Sequence, residues 1–431
     1  MTGTDGARLA AAFDISAIAA GFAEDPFPVY RALLEHAPVK HFADGSVMLS
    51  RWADLDRVYR DTATFSSDKK VEFRPKFGDS PLYEHHTTSL VFSDPPLHTR
   101  VRKIMVGALN PKALAAMEPG LVRLIDRLVD DLAEKGDVDL VEDFASRIPV
   151  EVIGNLFDMP HEERGPLRDW SLAILGALEP VLSVDQLASG NRAVTEFKAY
   201  MKDLVRRRTA RPGNPDTDVL TRLIEGIGGE NLSEVELLQN CIFILNAGHE
   251  TTTNLIGNAL HLLHEWPGER ARLIADPAMI HTAVDEFLRF QSPNQLGNRM
   301  STADAEFHGE TIPAGTRIHL AIGVLAELAE RCRSGLEFRA GGRDVFQRDV
   351  RLIDQAFIGS DLGGDGLDIA QRVGEGFDVF IRQEGVDAFD RVIRLAEHLR
   401  AAGKELVELG LLRLDHGHGL SGFRLQQAGR R

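Results

Sequence analysis

Residues 233–266 read SEVELLQNCIFILNAGHETTTNLIGNALHLLHEW, and the rest of the chain is organised around this stretch. Ser233 and Glu236 have the Ser-x-x-Glu spacing of a capping box, in which each side chain satisfies an otherwise orphan N–H of the first helical turn. Pro267-Gly268 supplies the stop, and no proline lies between. At 1.5 Å per residue the helix is roughly 50 Å long, enough to cross a whole domain. Its two ends are apolar nearly all round, which predicts burial. Its middle, Asn246-Ala-Gly-His-Glu-Thr-Thr-Thr-Asn254, is polar where a buried helix should be driest. Buried polar groups are costly unless paired, so the block points to a site. A surface helix carrying a solvated band is the other reading of the same pattern.

The chain has 431 residues, room for one large domain or two to three ordinary ones. It carries 49 basic against 65 acidic residues, a net charge of −16, which argues against nucleic acid as a partner. The two cysteines, Cys241 and Cys332, make neither a disulfide framework nor a cysteine-based zinc pattern, and the reducing cytoplasm is the expected compartment. The first residues are short of basic side chains and lack a long apolar run, so no signal peptide is expected. No stretch approaches the roughly 18 apolar residues of a membrane helix, so no membrane anchor is expected.

Residues 1–25 read as a loosely held arm. From Pro26 to Arg60 the pattern is short helix, hairpin, helix. Tyr30, Leu33 and Leu34 recur at helical spacing, Asp44-Gly45 marks the turn, and Trp52, Leu55 and Val58 begin the next helix. Residues 66–91 have scattered charge and few apolar anchors, so they read as a long loop of functional type. Asp94-Pro95-Pro96 then opens a helix, with Asp94 as the N-cap. His98 and Arg102, four apart, share one face of it and could hold an anionic group, although the spacing alone favours a solvent-exposed basic edge.

Residues 118–135, 142–158 and 166–211 continue as amphipathic helices, broken by PGNPD at 212–216. After the central helix, residues 278–293 are helical and carry Glu286 and Arg289 three apart. On spacing alone that is a surface pair, worth about a few tenths of a kcal/mol. Residues 297–323 read as short strands around a Pro-Ala-Gly turn.

Taken in order, PFPVYRALLEHAPV, Asp-Pro-Pro followed by His98-Thr-Arg-Val-Arg102, Ala247-Gly248-His249-Glu250-Thr251-Thr252, Glu286-x-x-Arg289 and TIPAGTRIHLAIG resemble a bacterial cytochrome P450, a haem-thiolate monooxygenase. The resemblance covers about residues 20–323. It implies a mainly α fold with small β-sheets over residues 26–323 and a haem cofactor. It also implies a small lipophilic substrate and electrons from a ferredoxin- or flavodoxin-type donor. Residue by residue, His98, Arg102 and Arg299 match the groups that hold a haem propionate, a task suited to charge-assisted hydrogen bonds. Glu286 and Arg289 match the family's buried structural pair. Ala247 and Gly248 match the place where the long helix passes over the haem face. Glu250 and Thr251 match the acid–alcohol pair that delivers protons during oxygen activation. Residues 66–91 and the helices of 166–200 correspond to the variable substrate-facing walls.

One part of the family pattern has no counterpart. The cysteine loop, Phe-x-x-Gly-x-x-x-Cys-x-Gly, supplies the thiolate whose electron donation favours O–O cleavage, and the sequence contains no such loop. Cys241 lies on the central helix, and Cys332, in ERCRSG, lacks the glycines and the aromatic residue, so both read as ordinary cysteines and no metal ligand is identified. The composition changes at about Val324. All 19 prolines precede it, and residues 324–431 contain no Pro, Thr, Asn, Tyr, Trp or Met and one lysine, Lys404. These residues read as a divergent tail of another origin, a fusion, a recombined end or an out-of-frame reading, in place of the haem-thiolate loop. Within the tail, residues 386–399 keep helical spacing, Gly363–Asp368 matches a single calcium-roll repeat that cannot stack alone, and His416 and His418 lack a third ligand. The expected outcome is a haem-thiolate monooxygenase with impaired catalysis. A catalytically dead helical ligand-binding protein and a truncated or fused non-functional product are the alternatives.

Overall fold

In the computed structural model, Glu234–Glu265 is one unbroken helix of 32 residues with the other elements laid around it. The structure describes residues 3–324, apart from residues 20, 23–24, 109–110, 136–137, 216 and 227–229, together with two short strands beyond. In chain order the elements are α1 (Gly3–Ala12), α2 (Phe27–His36), β1 (Val39–His41), β2 (Val47–Leu49), α3 (Trp52–Arg60), β3 (Phe65–Ser66), α4 (Lys70–Phe77), α5 (Pro81–Thr88), α6 (Leu97–Ala108) and α7 (Pro111–Lys135). Then come α8 (Arg147–Leu156), α9 (Leu167–Gly176), α10 (Val184–Ala210), α11 (Val219–Glu225), α12 (Glu234–Glu265), α13 (Pro267–Ala275) and α14 (Ile280–Phe290). The strands β4 (Leu296–Ser301), β5 (Ala305–Phe307), β6 (Glu310–Ile312) and β7 (Arg317–Ala321) follow, and β8 (Leu412–Leu414) pairs with β9 (Leu425–Gln427). The fold is therefore mainly α with small sheets.

The capping box forms: Glu236 N–H donates to Ser233 Oγ at 3.3 Å, and Ser233 N–H donates to Glu236 Oε2 at 2.8 Å. From that start α12 runs through two cores. Leu237, Leu238, Cys241, Ile242 and Leu245 are buried in the larger one, shared with α5, α6, α8, α9, α10 and α11. Leu255, Ala259, Leu262 and Leu263 pack with α13 and α14 around Phe287. A helix buried at both ends leaves no room for the surface-helix reading.

A five-stranded sheet of order β1-β2-β7-β4-β3 flanks this body. β2 pairs with β7 in parallel (Val47↔Ile318), and the remaining neighbours are antiparallel. Gly45, at φ +80°, makes the expected turn between β1 and β2.

Three local expectations differ from what forms. Residues 3–12 are helical, and Ala10 and Ile15 are buried with Tyr30 and Leu33 of α2, so this part of the arm is fastened. The 66–91 stretch holds α4 and α5, because Phe73, Phe77 and Leu82 anchor it in the main core and Ser80 Oγ caps α5 by accepting from Tyr83 N–H at 3.2 Å. Asp94 does not cap α6: its carboxylate accepts from Ser66 Oγ at 2.5 Å and from Ser67 N–H at 2.8 Å, tying α6 to β3. The tail readings at Cys332, 363–368, 386–399 and His416–His418 lie outside the described residues.

Gly297 on β4 sits so close to α3 that a Cβ there would lie 2.1 Å from the Tyr59 hydroxyl oxygen. Tyr59 is fully buried, and that oxygen has no hydrogen-bond partner among the described residues. Gly297→Ala is expected to cost about 1–3 kcal/mol in urea unfolding through overpacking. In a Tyr59→Phe background, where the clashing atom is gone, most of that loss should disappear.

Candidate functional site

The polar block of α12 is inside the protein. Asn246, His249 and Thr253 are buried, Glu250, Thr251 and Thr252 are half-buried, and Asn254 faces solvent. Thr251 Oγ1 donates to the carbonyl oxygen of Ala247 at 2.8 Å, which spends its proton on the helix and leaves its oxygen able to accept. The Glu250 carboxyl has its pKa pushed up, first by burial and then by the charge of Glu179. His249, next to it, is held neutral: burial and the charge of Arg168 lower its pKa to about 4. Gly248 has a packing reason to be glycine, since a Cβ there would lie 2.8 Å from Ile153 Cδ1 on α8. Ala247 and Gly248 thus form a slim section of helix beside the two polar residues.

The N-terminal half of α12 carries a second polar set that sequence reasoning did not single out. His85 Nδ1–H donates to Gln239 Oε1 at 2.8 Å, Gln239 Nε2–H donates to Glu84 Oε1 at 2.7 Å, and Leu90 N–H donates to Asn240 Oδ1 at 2.9 Å. These bonds fasten α5 and the turn after it to α12. No sequence signal announces them, because their partners are some 150 residues apart.

On α6, His98 and Arg102 are 4% and 6% exposed, so the basic-edge reading fails and both side chains are buried. Glu286 and Arg289 on α14 form a two-pronged pair, with Nε to Oε2 at 2.6 Å and Nη2 to Oε1 at 2.5 Å. Both side chains are largely shielded from water, which makes the pair structural rather than ornamental. Arg299 on β4 is 7% exposed, lies against the Tyr59 ring at 4.8 Å, and donates through Nη1 to Asn298 O at 2.8 Å. Burial disfavours its charge, with Tyr59 and the Asp94 carboxylate acting in the other direction. Asp94, just before α6, is held by Ser66 and Ser67, and Ser66 pairs with Met300 of β4, so the start of α6 lies close to the β4 residue next to Arg299.

These residues fit a haem on its carboxylate side. A guanidinium has five N–H donors, and among the described residues Arg299 uses one, on the neighbouring carbonyl. A buried cation with open donors calls for an anionic acceptor, and a propionate is one. The iron ligand is a different matter. Cys241 is fully buried in the apolar core, burial pushes its thiol pKa up, and a neutral thiol in that place is no thiolate ligand. Among the described residues, no group of three or more His, Cys, Asp or Glu side chains could hold a metal ion. No helix among them is long and apolar enough to cross a membrane.

Comparison with known proteins leads the same way. A family profile described as cytochrome P450 matches residues 178–327. The vitamin D(3) 25-hydroxylase of Pseudonocardia autotrophica is 34% identical over 308 residues, 70% of this chain and 73% of that relative. The biotin biosynthesis cytochrome P450 of Bacillus subtilis (strain 168) is 30% identical over 270 residues, 62% of this chain and 68% of the relative. Among solved structures, P450BioI in complex with hexadec-9Z-enoic acid ligated acyl carrier protein aligns with a TM-score of 0.69 at 25% identity, covering 78% of this chain and 89% of that one. With motifs, fold and relatives in agreement, the chain belongs to the cytochrome P450 family of haem-thiolate monooxygenases.

Proposed function

We propose that this chain carries the distal half of a monooxygenase site for a small lipophilic molecule, and that its catalysis is impaired because the sequence has no cysteine loop. The observation that carries the haem side is Arg299, a buried guanidinium with open donors among the described residues. In this reading His98, Arg102 and Arg299 hold the propionates, and Glu286 with Arg289 braces the fold behind them. Ala247 and Gly248 keep α12 slim where it passes the cofactor. Haem, when bound, supplies the activation of dioxygen and accepts electrons from a ferredoxin- or flavodoxin-type donor.

Glu250 and Thr251 handle protons beside it. A carboxyl whose burial raises its pKa holds a proton longer than a solvated one and can release it inward. Thr251 Oγ1, its own proton engaged by Ala247 O, is oriented to accept. The lipophilic substrate is supported by two relatives, one named for hydroxylating vitamin D(3), the other solved with a fatty-acyl carrier protein. The missing cysteine loop favours a second reading, a catalytically inactive protein that binds an apolar ligand or takes haem through a histidine.

Haemin uptake followed by reduction and exposure to carbon monoxide separates these readings. Impaired catalysis predicts a Soret band without thiolate character, unchanged in Cys241→Ser. A thiolate-type band would overturn it, and its loss in Cys332→Ser would identify the ligand. Glu250 adds a test on stability. Its folded pKa lies above the unfolded value, so the folded state binds the proton more tightly and loses stability as pH rises through that interval. Glu250→Gln should therefore melt about 1–3 °C higher than the parent at pH 7, with the gap closing below the carboxyl range.

A further inference from the structure

Lys69 stands at the start of α4 in the run Ser66-Ser-Asp-Lys-Lys70, where the sequence shows only a charged loop. In the structure its side chain is 1% exposed. Nζ donates to Glu72 Oε2 at 2.8 Å. An ammonium has three N–H donors, and among the described residues the other two meet no acceptor. Glu72 cannot neutralise Lys69 alone, because its other oxygen lies 3.8 Å from Arg317 Nη1. Burial lowers the pKa of Lys69, Glu72 opposes this, and Arg299 and Arg317 add to the lowering. Arg317 has Asp44 as its nearer partner, whereas the buried ammonium of Lys69 has one carboxylate and two open donors among the described residues, so it calls for a further acceptor.

The backbone places this cation beside the haem-side groups. β3 pairs with β4 through Phe65↔Ser301 and Ser66↔Met300, next to Arg299. Ser66 and Ser67 hold Asp94, which leads into α6 with His98 and Arg102. The segment that ends in Lys69 is thus fastened to both elements that carry the proposed propionate-holding residues. We infer that Lys69 is a further cofactor-binding residue, its ammonium donating to a haem propionate on the Arg299 side. The inference rests on the haem-binding reading above and adds a residue that no motif marks.

The test uses metal-free protoporphyrin IX and its dimethyl ester, so that no iron ligand enters, with the full chain titrated and porphyrin fluorescence read. The parent protein should bind the diacid more tightly than the diester. Lys69→Met should weaken the diacid by about tenfold, as expected for a lost hydrogen bond to a charged group, and leave the diester unchanged. Lys69→Arg should restore most of the preference. If Lys69→Met alone folds poorly, as judged by circular dichroism, the Lys69→Met/Glu72→Gln pair carries the same comparison without a stranded carboxylate. Full discrimination retained in the Lys69 variants would overturn this assignment while leaving the haem reading intact. A parent protein that takes up neither porphyrin would overturn both.

Discussion

The burial of α12 is the constraint on which the rest depends. A helix of 32 residues with core on both sides is favoured by apolar ends and by partners for its buried polar side chains. The ends meet the first condition through Leu238, Ile242, Leu262 and Leu263. The second is met only in part: the ring nitrogens of His249, Thr253 Oγ1 and Asn246 Oδ1 meet no partner among the described residues, whereas Thr251 bonds its own helix and Gln239 and Asn240 bond α5 and Leu90. The Gln239 and Asn240 bonds position α5 and the turn after it while they satisfy buried groups. Packing and site geometry are therefore set by the same contacts, and neither can be altered alone.

What was legible in the sequence follows from what is local. The capping box at Ser233 and Glu236, the Asp44-Gly45 turn and the pairing of Glu286 with Arg289 are relations between residues close in sequence, and all three form. The inward direction of His98 and Arg102 was not legible, since helical spacing gives a shared face but not what covers it. The resemblance to a family supplied that direction. Residues 66–91 read as loop in the sequence because their apolar anchors are sparse. Phe73, Phe77 and Leu82 are nonetheless enough for two short helices once a large core lies beneath them. Asp94 shows the same limit from the polar side. Its type and position suit an N-cap, yet a tertiary contact with Ser66 and Ser67 takes the carboxylate.

The charged groups differ in whether a carboxylate pairs with them. Glu286 and Arg289 match oxygen to nitrogen on two prongs, the arrangement in which a shielded pair holds its geometry. Arg299 is the opposite case, a guanidinium with one carbonyl and an aromatic face. Removing either member of the first pair strands a charge, whereas Arg299 has no carboxylate in hydrogen-bond contact among the described residues. In the proposed reading one arginine holds the fold and the other meets a ligand, a distinction their shared residue type conceals.

The parallel pairing of β2 with β7 bears on how the molecule assembles. Val47 and Ile318 meet only after nearly the whole described chain between them has been laid down, and β4, carrying Arg299, is held in place by β7. Helices such as α10 and α12 gain most of their backbone bonds locally, while this strand pair must first close a very long loop. The sheet, and with it the placement of Arg299, is thus expected to form late in folding. A propionate-bearing ligand that bridges β4 and α6 would bind the completed state alone and, by mass action, draw the last step of folding toward it.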